Sequence, residues 1–545
     1  MTTLVGRGVS AGVAIGRISF YTRKGRGMAK RQGGDVALEL DRFAGARESA
    51  ERQLREIHDR ALGSLGAETA AIFEIHAMML DDRDFLDAVE GQIRLHARSA
   101  EEAIEQTVDQ LAALFEAMED GYMRARAADI RDVGDRLLAS LSGETGAEAT
   151  GEPCILCADD LSPSETVMLD TAGVLAFVTA SGSQSSHTAI LAAALGIPAV
   201  VGVGDALFAS ATEGMLAVVD GESGRITLSP DDALLRRAEQ RQMQDRKRLE
   251  QLERLRGERS VTRDGVSIGI YANVGGADGA ALALRHDAEG IGLFRSELLY
   301  LGRDEMPSEQ EQYLVYRRLL KEMGDRRTVV RTLDVGADKQ IEYLGLGREE
   351  NPALGLRAVR YCLRHPEILV TQLRALYRAS LYGRLAILFP MITSEWELAR
   401  LLMICREVRE GLDAEGIGYA EGVELGIMIE TPAAALISDR LAPMVDFFSV
   451  GTNDLIQYTL ACDRGNREVL EFCDPHHEAV LRLIERSAES AHAVGKWIGI
   501  CGELAADLSL TETFLRMGID ELSVSPRAVL PLREKVRSLD LSEKA

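Results

Sequence analysis

The chain has 545 residues, of which 46% are hydrophobic and 27% are charged, a composition typical of soluble globular proteins. One hydrophobic core rarely extends over so long a chain, so we expect two or more domains. Acidic residues outnumber basic ones by 86 to 62, for a formal charge of −24, which argues against general binding to nucleic acid or anionic membranes and favours a basic protein partner. The N-terminus lacks the layout of a signal peptide and no apolar run is long enough to span a membrane, so we expect a cytoplasmic protein.

Seven cysteines are scattered along the chain, which predicts no disulfide framework. Cys154 and Cys157 have the spacing of zinc ligands, yet no second pair of Cys or His stands at a suitable distance. We therefore predict that both are buried structural residues.

The N-terminal part changes from a strand pattern to a helical one. Glycines punctuate Gly6–Phe20, which predicts a pair of short strands. From about residue 35 to residue 141, apolar residues recur at helical spacing, which predicts a helical bundle. Met78 and Met79 in this region are expected in its core rather than at an interface. Two runs show the spacing, Leu54, Ile57 and Ala61 in one and Ile104, Val108, Leu111, Phe115 and Met118 in the other.

A single histidine, His187, follows a loop of small and hydroxyl-bearing residues over Thr179–Ser186. A buried strand is predicted before the loop, over Gly173–Val178, and a helix after it, over Thr188–Leu195, where Gly196 ends it. Unpaired N–H groups at a helix start favour an anionic group nearby, and small neighbours leave room for one. We therefore predict that His187 accepts a phosphate rather than serving only as a structural histidine.

Further strands of an α/β domain are predicted around this loop, over Cys154–Leu156, Ala199–Val201 and Leu216–Val219. A highly charged helix with few apolar residues follows over Ala233–Arg259, which predicts an exposed linker.

From about Val261 the chain repeats one unit, an apolar strand followed by a polar loop and an amphipathic helix. Eight such units predict a TIM barrel, whose active site lies at the carboxyl ends of its strands. The eight predicted strands are Val266–Val274, Gly290–Phe294, Thr328–Leu333, Ala386–Met391, Glu424–Ile429, Phe447–Val450, Trp497–Ile500 and Glu521–Val524.

Polar side chains are concentrated at or just after these strand ends. Two arginines there, Arg295 and Arg331, are suited to bind a phosphate or carboxylate through both ends of the guanidinium group. Arg357 and Arg464 lie on following loops and are candidates to complete this anion site. The full set at the strand ends is Asn273, Arg295, Glu297, Arg331, Asp334, Met391, Glu430, Asn453, Asp454, Cys501 and Glu503.

Glu430 and Asp454 follow neighbouring strands and offer hard oxygen ligands, which predicts Mg²⁺ held by carboxylates, substrate and water. Cys501 ends an apolar strand at the same opening. It is a candidate proton donor or nucleophile, and a buried inert thiol is the alternative.

These motifs resemble enzyme I of the phosphoenolpyruvate:sugar phosphotransferase system along essentially the whole chain. The chain departs from the family at Ser183 and Gln184, where the family has glycine and arginine, and mildly at Ala337. The motifs are Pro163-Ser-Glu-Thr166, the His187 loop, Phe294-Arg-Ser-Glu297, Arg331-Thr-Leu-Asp-Val-Gly-Ala-Asp-Lys339, Glu430-Thr-Pro-Ala-Ala434, Gly451-Thr-Asn-Asp-Leu-Ile-Gln-Tyr-Thr-Leu460 and Cys501-Gly-Glu503.

The resemblance implies a multidomain α/β architecture. A swivelling phosphohistidine domain would comprise residues 1–34 and 143–230, with a helical subdomain inserted over residues 35–142. A linker helix over residues 231–260 would lead to a TIM barrel over residues 261–545. The stretch Phe73–Asp82 resembles the part of the helical subdomain to which a small HPr-like histidine phosphocarrier protein binds. A homodimer through the barrel is also expected, as is a hinge formed by Glu222–Pro230 together with the charged linker helix.

The resemblance further implies the chemistry. Phosphoenolpyruvate would transfer its phosphoryl group to Nε2 of His187, release pyruvate, and so begin sugar uptake through the phosphocarrier. By similarity, Cys501 protonates the enolate carbon, and Mg²⁺ is held by Glu430 and Asp454. The substrate site by similarity and position comprises Arg295, Arg331, Arg357, Asn453, Asp454 and Arg464.

Three alternatives stay open. The change at Gln184 is compatible with the nitrogen-related regulatory branch of enzyme I. A pyruvate phosphate dikinase or phosphoenolpyruvate synthase would share the histidine loop and the barrel, but the residues before the barrel show no glycine-rich phosphate loop with a lysine. A non-catalytic scaffold would have no reason to place arginines, carboxylates and a thiol together at strand ends.

Overall fold

The computed structural model describes residues 1–21, 35–64, 67–117, 121–142, 152–169, 171–182, 186–276, 279–301, 303, 305–336, 341–347, 349–464 and 466–542. The chain forms two compact units, Met1–Leu249 and Glu250–Ala545. The boundary between them falls within the charged helix Asp232–Glu253, which is exposed along most of its length, as predicted.

The first unit contains an eight-stranded mixed sheet. Its strand order is β1-β8-β7-β3-β4-β5-β6-β2, in which β3, β4, β5 and β6 are parallel and the remaining pairs are antiparallel. The strands are β1 Thr2–Val5, β2 Arg7–Ser10, β3 Val13–Phe20, β4 Cys154–Ala158, β5 Val174–Thr179, β6 Ala199–Val201, β7 Leu216–Asp220 and β8 Arg225–Leu228.

The two edge strands of this sheet are neighbours in the chain. Only Gly6 separates β1 from β2, yet β1 pairs with β8 at one edge and β2 pairs with β6 at the other. The sheet therefore curls until its edges come together at the N-terminus.

Two expectations for this sheet are corrected. The two strands within Gly6–Phe20 are present, but they lie apart in the sheet rather than pairing with each other. The predicted hinge at Glu222–Pro230 includes β8, which is hydrogen-bonded on both sides to β1 and β7. The oxygen Oδ1 of Asp220 accepts the N–H groups of Glu222 and Ser223, so a tight hairpin forms where the sequence suggested a linker.

Helices α1 to α5 follow the first three strands and form a bundle. Ile104 and Val108 are buried as predicted, while Ala61 and Met118 have side chains outside the described residues. Met79 packs against the bundle core, whereas Met78 is 63% exposed, so the prediction of a core position was wrong for Met78. The five helices are α1 Val36–Ser64, α2 Ala67–Asp81, α3 Arg83–His96, α4 Ala100–Glu116 and α5 Gly121–Ser142.

The rest of the first unit returns to α/β structure. The boundaries at residues 34/35 and 142/143 lie outside the described residues, so the division into two domains stays a prediction. Its helices are α6 Pro163–Met168, α7 His187–Leu195, α8 Ala206–Ser210 and α9 Asp232–Glu253.

The second unit is a closed barrel of eight parallel strands, which confirms the predicted TIM barrel. The last four strands begin and end where the sequence predicted, and the first four shift by one to three residues. The strands are β9 Gly269–Gly275, β10 Ile291–Arg295, β11 Thr328–Arg331, β12 Leu385–Phe389, β13 Glu424–Ile429, β14 Phe447–Val450, β15 Trp497–Ile500 and β16 Glu521–Val524.

Helices surround these strands and enclose the main core. Serine caps begin α11 and α14, because Ser308 and Ser394 each form a capping box with the glutamate three residues later. The helices are α10 Gly279–Arg285, α11 Glu309–Met323, α12 Ala358–Arg364, α13 Pro366–Ala379, α14 Glu395–Ala414, α15 Pro432–Leu436, α16 Ser438–Leu441, α17 Thr452–Leu460, α18 Glu478–Ala493, α19 Thr511–Arg516 and α20 Val529–Ser538.

An aromatic and charged floor closes the amino-terminal end of the barrel. Trp497 stacks on Phe447 with ring centroids 4.3 Å apart, and the Arg327 guanidinium lies 3.8 Å from the Trp497 ring. Arg327 also forms ion pairs with Glu424 at 3.6 Å and Glu521 at 3.2 Å. Arg327 and these two carboxylates are therefore engaged with one another at the floor.

The sheet closure in the first unit depends on glycine. A Cβ on Gly8 would lie 2.1 Å from the carbonyl oxygen of Gly221, a backbone atom that cannot move aside. We expect Gly8→Ala to lower the free energy of unfolding of the first unit by about 1–3 kcal/mol, measured by chemical denaturation. Gly45→Ala is the matched control, since Gly45 is helical with open space around it and alanine should stabilise that helix. Equal stability of the two variants would contradict the closure.

Candidate active site

The carboxyl ends of the barrel strands bring the predicted polar side chains to one opening. Arg295 and Arg331 end β10 and β11, while Glu430 and Cys501 directly follow β13 and β15. Asp454 lies in the first turn of α17, after β14. Parallel strands of a closed barrel place all of these positions on the same face.

Two arginines in this opening are held by one shared carboxylate. Arg331 Nη1 lies 3.0 Å from Asp334 Oδ2, and Arg357 Nη2 donates to both oxygens of Asp334, at 2.9 and 3.1 Å. Glu297 Oε1 accepts from Arg331 Nη2 at 2.6 Å. Asp334 is 6% exposed and Glu297 is 8% exposed. The sequence marked Asp334 and Glu297 only as strand-end residues, and the structure shows that they orient the arginines.

The carboxylates keep both guanidinium groups charged in a buried place. Burial alone would lower the pKa of Arg331, but the charges of Glu297 and Asp334 outweigh it and raise that pKa. Burial likewise opposes the charge of Arg357, and Asp334 and Asp454 raise its pKa above the ordinary value. Two permanent positive charges therefore lie beside the opening.

Glu430 is completely buried and has only one of its oxygens bonded. Its Oε1 accepts the N–H of Met391 at 2.6 Å, and Met391 adopts a left-handed backbone with φ of 59°. Its Oε2 has no hydrogen-bond partner among the described residues. Next to that oxygen, a Cβ on Gly451 would lie only 3.0 Å away, so glycine leaves space there for another atom.

The pKa of Glu430 is raised to about 8. Burial is the largest cause, followed by the negative charges of Asp334 and Asp454, against the lowering effect of Arg331 and Arg357. A positive ion beside Glu430 would lower its pKa again, because it stabilises the charged carboxylate.

Asp454 and Glu297 also have an orphaned oxygen, and that of Glu297 is Oε2. The Asp454 Oδ1 is buried without a hydrogen-bond partner among the described residues and lies 3.6 Å from Arg357 Nη1. Two guanidinium groups thus face four carboxylates, a formal excess of two negative charges. No group of three or more His, Cys, Asp or Glu side chains in the described part of the chain forms a complete metal site. The orphaned oxygens of Glu430 and Asp454 nevertheless fit an Mg²⁺ that takes its other ligands from substrate and water.

Cys501 lies at the boundary between the barrel interior and the opening. Its side chain is 4% exposed and packs in an apolar cluster that includes Met428 and Leu293. Its Sγ lies 3.6 Å from the carbonyl oxygen of Val450. Burial raises the pKa of this thiol to about 11, opposed by a hydrogen bond with Ser449 and the charge of Arg331. Cys501 is therefore protonated at neutral pH.

The remaining predicted arginines differ from the buried pair. Arg295 and Arg464 are both exposed, and neither side chain has a hydrogen-bond or ion-pair partner among the described residues. The backbone N–H of Arg464 donates to Gln457 Oε1 at 3.2 Å, which fixes the start of its loop. These two guanidinium groups are available to an anion without breaking an existing bond.

Two asparagines join the loops around the opening. Asn453 Nδ2 donates to Glu503 Oε1 at 2.9 Å, and Asn453 Oδ1 accepts the Glu503 N–H at 3.0 Å. Asn273 Nδ2 donates to the carbonyl oxygens of Cys501 and Ser523. Asn453 is thus at the opening, as predicted, while Asn273 has a structural role.

His187 begins α7 in the first unit, as the sequence predicted to within one residue. Ser186 is the N-cap and accepts the N–H of Ala189, and Gly196 ends the helix in a left-handed conformation with φ of 71°. The His187 side chain and residues Ser183 to Ser185 lie outside the described residues. Thr188 Oγ1 donates to Asp160 Oδ1 at 3.0 Å, which ties the helix start to the end of β4.

The motif at Pro163–Thr166 forms α6 and contacts the helical bundle. Ser162 caps α6, and its Oγ donates to Asp132 of α5 at 2.8 Å. The N–H of Ser164 donates to the other oxygen of Asp132 at 3.1 Å. His76, which is fully buried, lies 3.6 Å from the same carboxylate. The bundle therefore packs directly on the part of the sheet domain that precedes the histidine loop.

Family models match nearly the whole chain. Residues 249–541 match the phosphoenolpyruvate-binding domain of phosphoenolpyruvate-utilising enzymes, residues 5–126 match their N-terminal domain, and residues 150–224 match their mobile domain. No helix among the described residues is long and apolar enough to cross a membrane.

Several known proteins similar to this chain are named phosphoenolpyruvate-protein phosphotransferase. The protein from Bacillus sp. strain S is 42% identical over 100% of this chain and 94% of its own length, and that from Geobacillus stearothermophilus has the same values. The Bacillus subtilis protein is 39% identical over 100% of this chain and 95% of its own length. The NMR structure of an enzyme I protein covers 45% of this chain and 99% of that one at 33% identity, with a TM-score of 0.38, too low to support an inference about the fold. Identity of this extent over the full chain shows that it belongs to the phosphoenolpyruvate-protein phosphotransferase family, the enzyme I of the phosphotransferase system.

Proposed function

We propose that this enzyme transfers the phosphoryl group of phosphoenolpyruvate to His187 and then to a histidine of a small HPr-like phosphocarrier, as the first step of sugar uptake by the phosphotransferase system. The observation that carries the proposal is the buried charge cluster at the barrel opening. It combines two oriented guanidinium groups with three orphaned carboxylate oxygens, which belong to Glu297, Glu430 and Asp454. Such a cluster suits a substrate that is both anionic and bound to a metal ion.

Capture of phosphoenolpyruvate begins with the unpaired arginines. Arg295 and Arg464 are exposed, and their side chains have no partner in the part of the chain that the structure describes, so they can bind its phosphate or carboxylate. Arg331 and Arg357 are already held by Asp334. Arg331 and Arg357 stabilise the negative charge of the bound substrate electrostatically. Because Asp334 already orients them, they need no rearrangement during the reaction. Asn453 lies at the same edge and offers its amide once Glu503 releases it.

Glu430 and Asp454 are the proposed ligands of Mg²⁺. The ion would supply positive charge to the transferring phosphoryl group and to the enolate oxygen. Its binding would also hold Glu430 in the charged form that burial and the neighbouring carboxylates oppose.

The transfer breaks the bond between phosphorus and the enol oxygen of phosphoenolpyruvate and forms a bond between phosphorus and Nε2 of His187. The enolate left behind needs one proton at carbon to become pyruvate. Cys501 is the proposed donor, because its pKa of about 11 keeps the thiol protonated at neutral pH. Arg331, whose charge lowers that pKa, would stabilise the thiolate until solvent restores the proton.

Transfer of the phosphoryl group to a phosphocarrier requires His187 to reach first the barrel opening and then the docked carrier. A swivelling phosphohistidine domain over residues 1–34 and 143–230 would carry it between the barrel of residues 261–545 and a docking subdomain over residues 35–142. The linker of residues 231–260 would join the two halves. The exposed Met78 in α2 supports a docking role for Phe73–Asp82, because an exposed methionine adapts to a partner surface. A cytoplasmic location and a homodimer through the barrel remain predictions from the resemblance.

One alternative is weakened and another stays open. A dikinase is disfavoured because the relatives matched along the whole chain are named as protein phosphotransferases. The nitrogen-related branch rested on Gln184, which lies outside the described residues, so the pathway stays a prediction. Incubation with labelled phosphoenolpyruvate and HPr-like carriers from each branch tests the choice.

We expect His187→Ala to abolish acid-labile labelling of the protein by phosphoenolpyruvate, because it removes the acceptor nitrogen while leaving the barrel intact. Labelled substrate and gel analysis measure this. His96→Ala removes an exposed histidine at the end of α3 and should label normally. Retention of wild-type label in the His187 variant would overturn the assignment.

We expect removal of Mg²⁺ by a chelator, or Asp454→Asn, to slow autophosphorylation about 100-fold, because several kcal/mol of charge stabilisation are lost. A second readout is the thermal shift on adding Mg²⁺ alone, which Asp454→Asn should abolish. Glu421→Gln changes an exposed carboxylate before β13 and should preserve both. Full activity in chelator would contradict the metal site.

We expect Cys501→Ala to lower kcat for conversion of phosphoenolpyruvate to pyruvate about 100-fold or more while KM stays within about twofold, since a proton donor acts on the enolate and not on the bound substrate. Cys405→Ala is the matched control. Cys405 is also a fully buried thiol, with a pKa raised to about 12 by burial, but it lies in α14. That variant should melt earlier and keep its kcat. A Cys501 variant that only melts earlier would defeat the proton-donor role.

A further inference from the structure

Tyr458 lies in α17 one turn after Asp454, so the two side chains are on the same face of that helix. Both meet Nη1 of Arg357, because the Tyr458 hydroxyl accepts from that nitrogen at 3.3 Å and Asp454 Oδ1 lies 3.6 Å from it. The Nε and Nη2 atoms of Arg357 donate to Asp334. Two oxygen atoms of α17 therefore compete for Nη1.

The Tyr458 hydroxyl donates to one partner and accepts from another. It donates its proton to the carbonyl oxygen of Ala353, in the 3₁₀ turn Pro352–Leu354, and accepts from Arg357. Burial raises the pKa of Tyr458 above its ordinary value, so the hydroxyl keeps its proton at neutral pH. Tyr458 is therefore a neutral acceptor for the guanidinium group of Arg357.

The backbone before Arg357 is held without help from Tyr458. The N–H of Leu356 donates to Glu349 Oε1 at 3.0 Å. Gly355 makes room for this glutamate, because a Cβ there would overlap Glu349 Oε2. Removal of the Tyr458 hydroxyl would therefore release the end of the Arg357 side chain and leave its backbone in place.

We propose that Tyr458 is a positioning residue for the metal site, which holds Arg357 Nη1 away from Asp454 Oδ1 and so keeps that oxygen available to Mg²⁺. The inference rests on the proposed function, in which Glu430 and Asp454 hold the ion. It adds a residue that the strand-end pattern does not mark, since Tyr458 lies in the second turn of α17.

The carboxylate would win this competition if the hydroxyl were absent. A guanidinium group forms shorter bonds to a carboxylate than to a neutral oxygen, and these bonds are about twice as strong. Asp454 Oδ1 is buried and has no hydrogen-bond partner among the described residues. A movement of about 0.7 Å would bring Arg357 Nη1 from 3.6 Å to the usual length of such a bond. The bond to Tyr458 opposes that movement.

Loss of the hydroxyl would therefore weaken the binding of the cation. Arg357 Nη1 would donate to Asp454 Oδ1, and Mg²⁺ would have to displace that bond before it could use the oxygen. One additional hydrogen bond to break corresponds to about tenfold weaker binding of Mg²⁺.

Mg²⁺ binding to the full-length enzyme without substrate, measured by isothermal titration calorimetry, tests this role. We expect Tyr458→Phe to raise the Kd for Mg²⁺ about tenfold, and excess Mg²⁺ to restore autophosphorylation to the wild-type rate. Tyr361→Phe is the matched control, because the Tyr361 hydroxyl also donates to a loop carbonyl, that of Leu344, at 2.7 Å. That variant should keep the wild-type Kd.

A double-variant cycle asks whether Tyr458 acts through Arg357. Arg357→Met removes the competing nitrogen, so the further change Tyr458→Phe should leave the Kd for Mg²⁺ unchanged in that background. A tenfold loss there as well would overturn the inference, because the hydroxyl would then act by another route. If Arg357→Met does not fold, the comparison of Tyr458→Phe with Tyr361→Phe decides alone.

Two further results would overturn the inference. One is a wild-type Kd in Tyr458→Phe, and the other is a loss of autophosphorylation that excess Mg²⁺ does not restore, which is the signature of a general structural defect. Failure of the proposed metal site looks different, since the wild-type enzyme itself would then bind no Mg²⁺. In that case the positioning role of Tyr458 falls with the metal site.

Discussion

The barrel opening depends on one shared carboxylate, Asp334, which lies between two buried guanidinium groups. Without it, Arg331 would keep only its ion pair with Glu297 and Arg357 only its longer one with Asp454, so two like charges in a buried site would be less well compensated. With it, both arginines stay charged and oriented before any substrate arrives. Together with Glu297, Glu430 and Asp454, Asp334 gives the site four carboxylates against these two guanidinium groups. Burial, together with this excess of negative charge, raises the pKa of Glu430, so a cation beside it would be favourable.

The two ends of the barrel use similar residues with opposite results. At the floor, Arg327 is held by Glu424, Glu521 and the Trp497 ring, and no carboxylate oxygen there is buried without a hydrogen-bond partner in the described part of the chain. At the opening, Glu297, Glu430 and Asp454 each leave one oxygen unbonded. Carboxylates that are engaged by arginine and tryptophan stabilise the barrel, whereas carboxylates with an unbonded oxygen are able to bind a ligand.

The opening also divides its arginines by their partners. Arg331 and Arg357 are fixed by carboxylates, while Arg295 and Arg464 have none among the described residues. Arg331 and Arg357 set the positive electrostatic potential of the site, and Arg295 and Arg464 can bind the incoming anionic substrate. Arg464 is the member of the second pair that belongs to a long exposed loop, whose start is held by the bond from the Arg464 N–H to Gln457.

The sequence by itself determined the eight barrel strands, the strand-end positions of Arg295, Arg331, Glu430 and Cys501, and the helix that begins at His187. These features depend on local patterns, because apolar runs, glycine and capping residues act over a few neighbouring positions. Only the tertiary structure decided that Arg225–Leu228 is a strand, that Met78 is exposed and that Asp334 bridges two arginines. Each of these depends on which distant segments pack together. Contacts of that kind leave no periodic signal in the chain, since hydrogen bonds and burial across the fold are set only when the elements assemble.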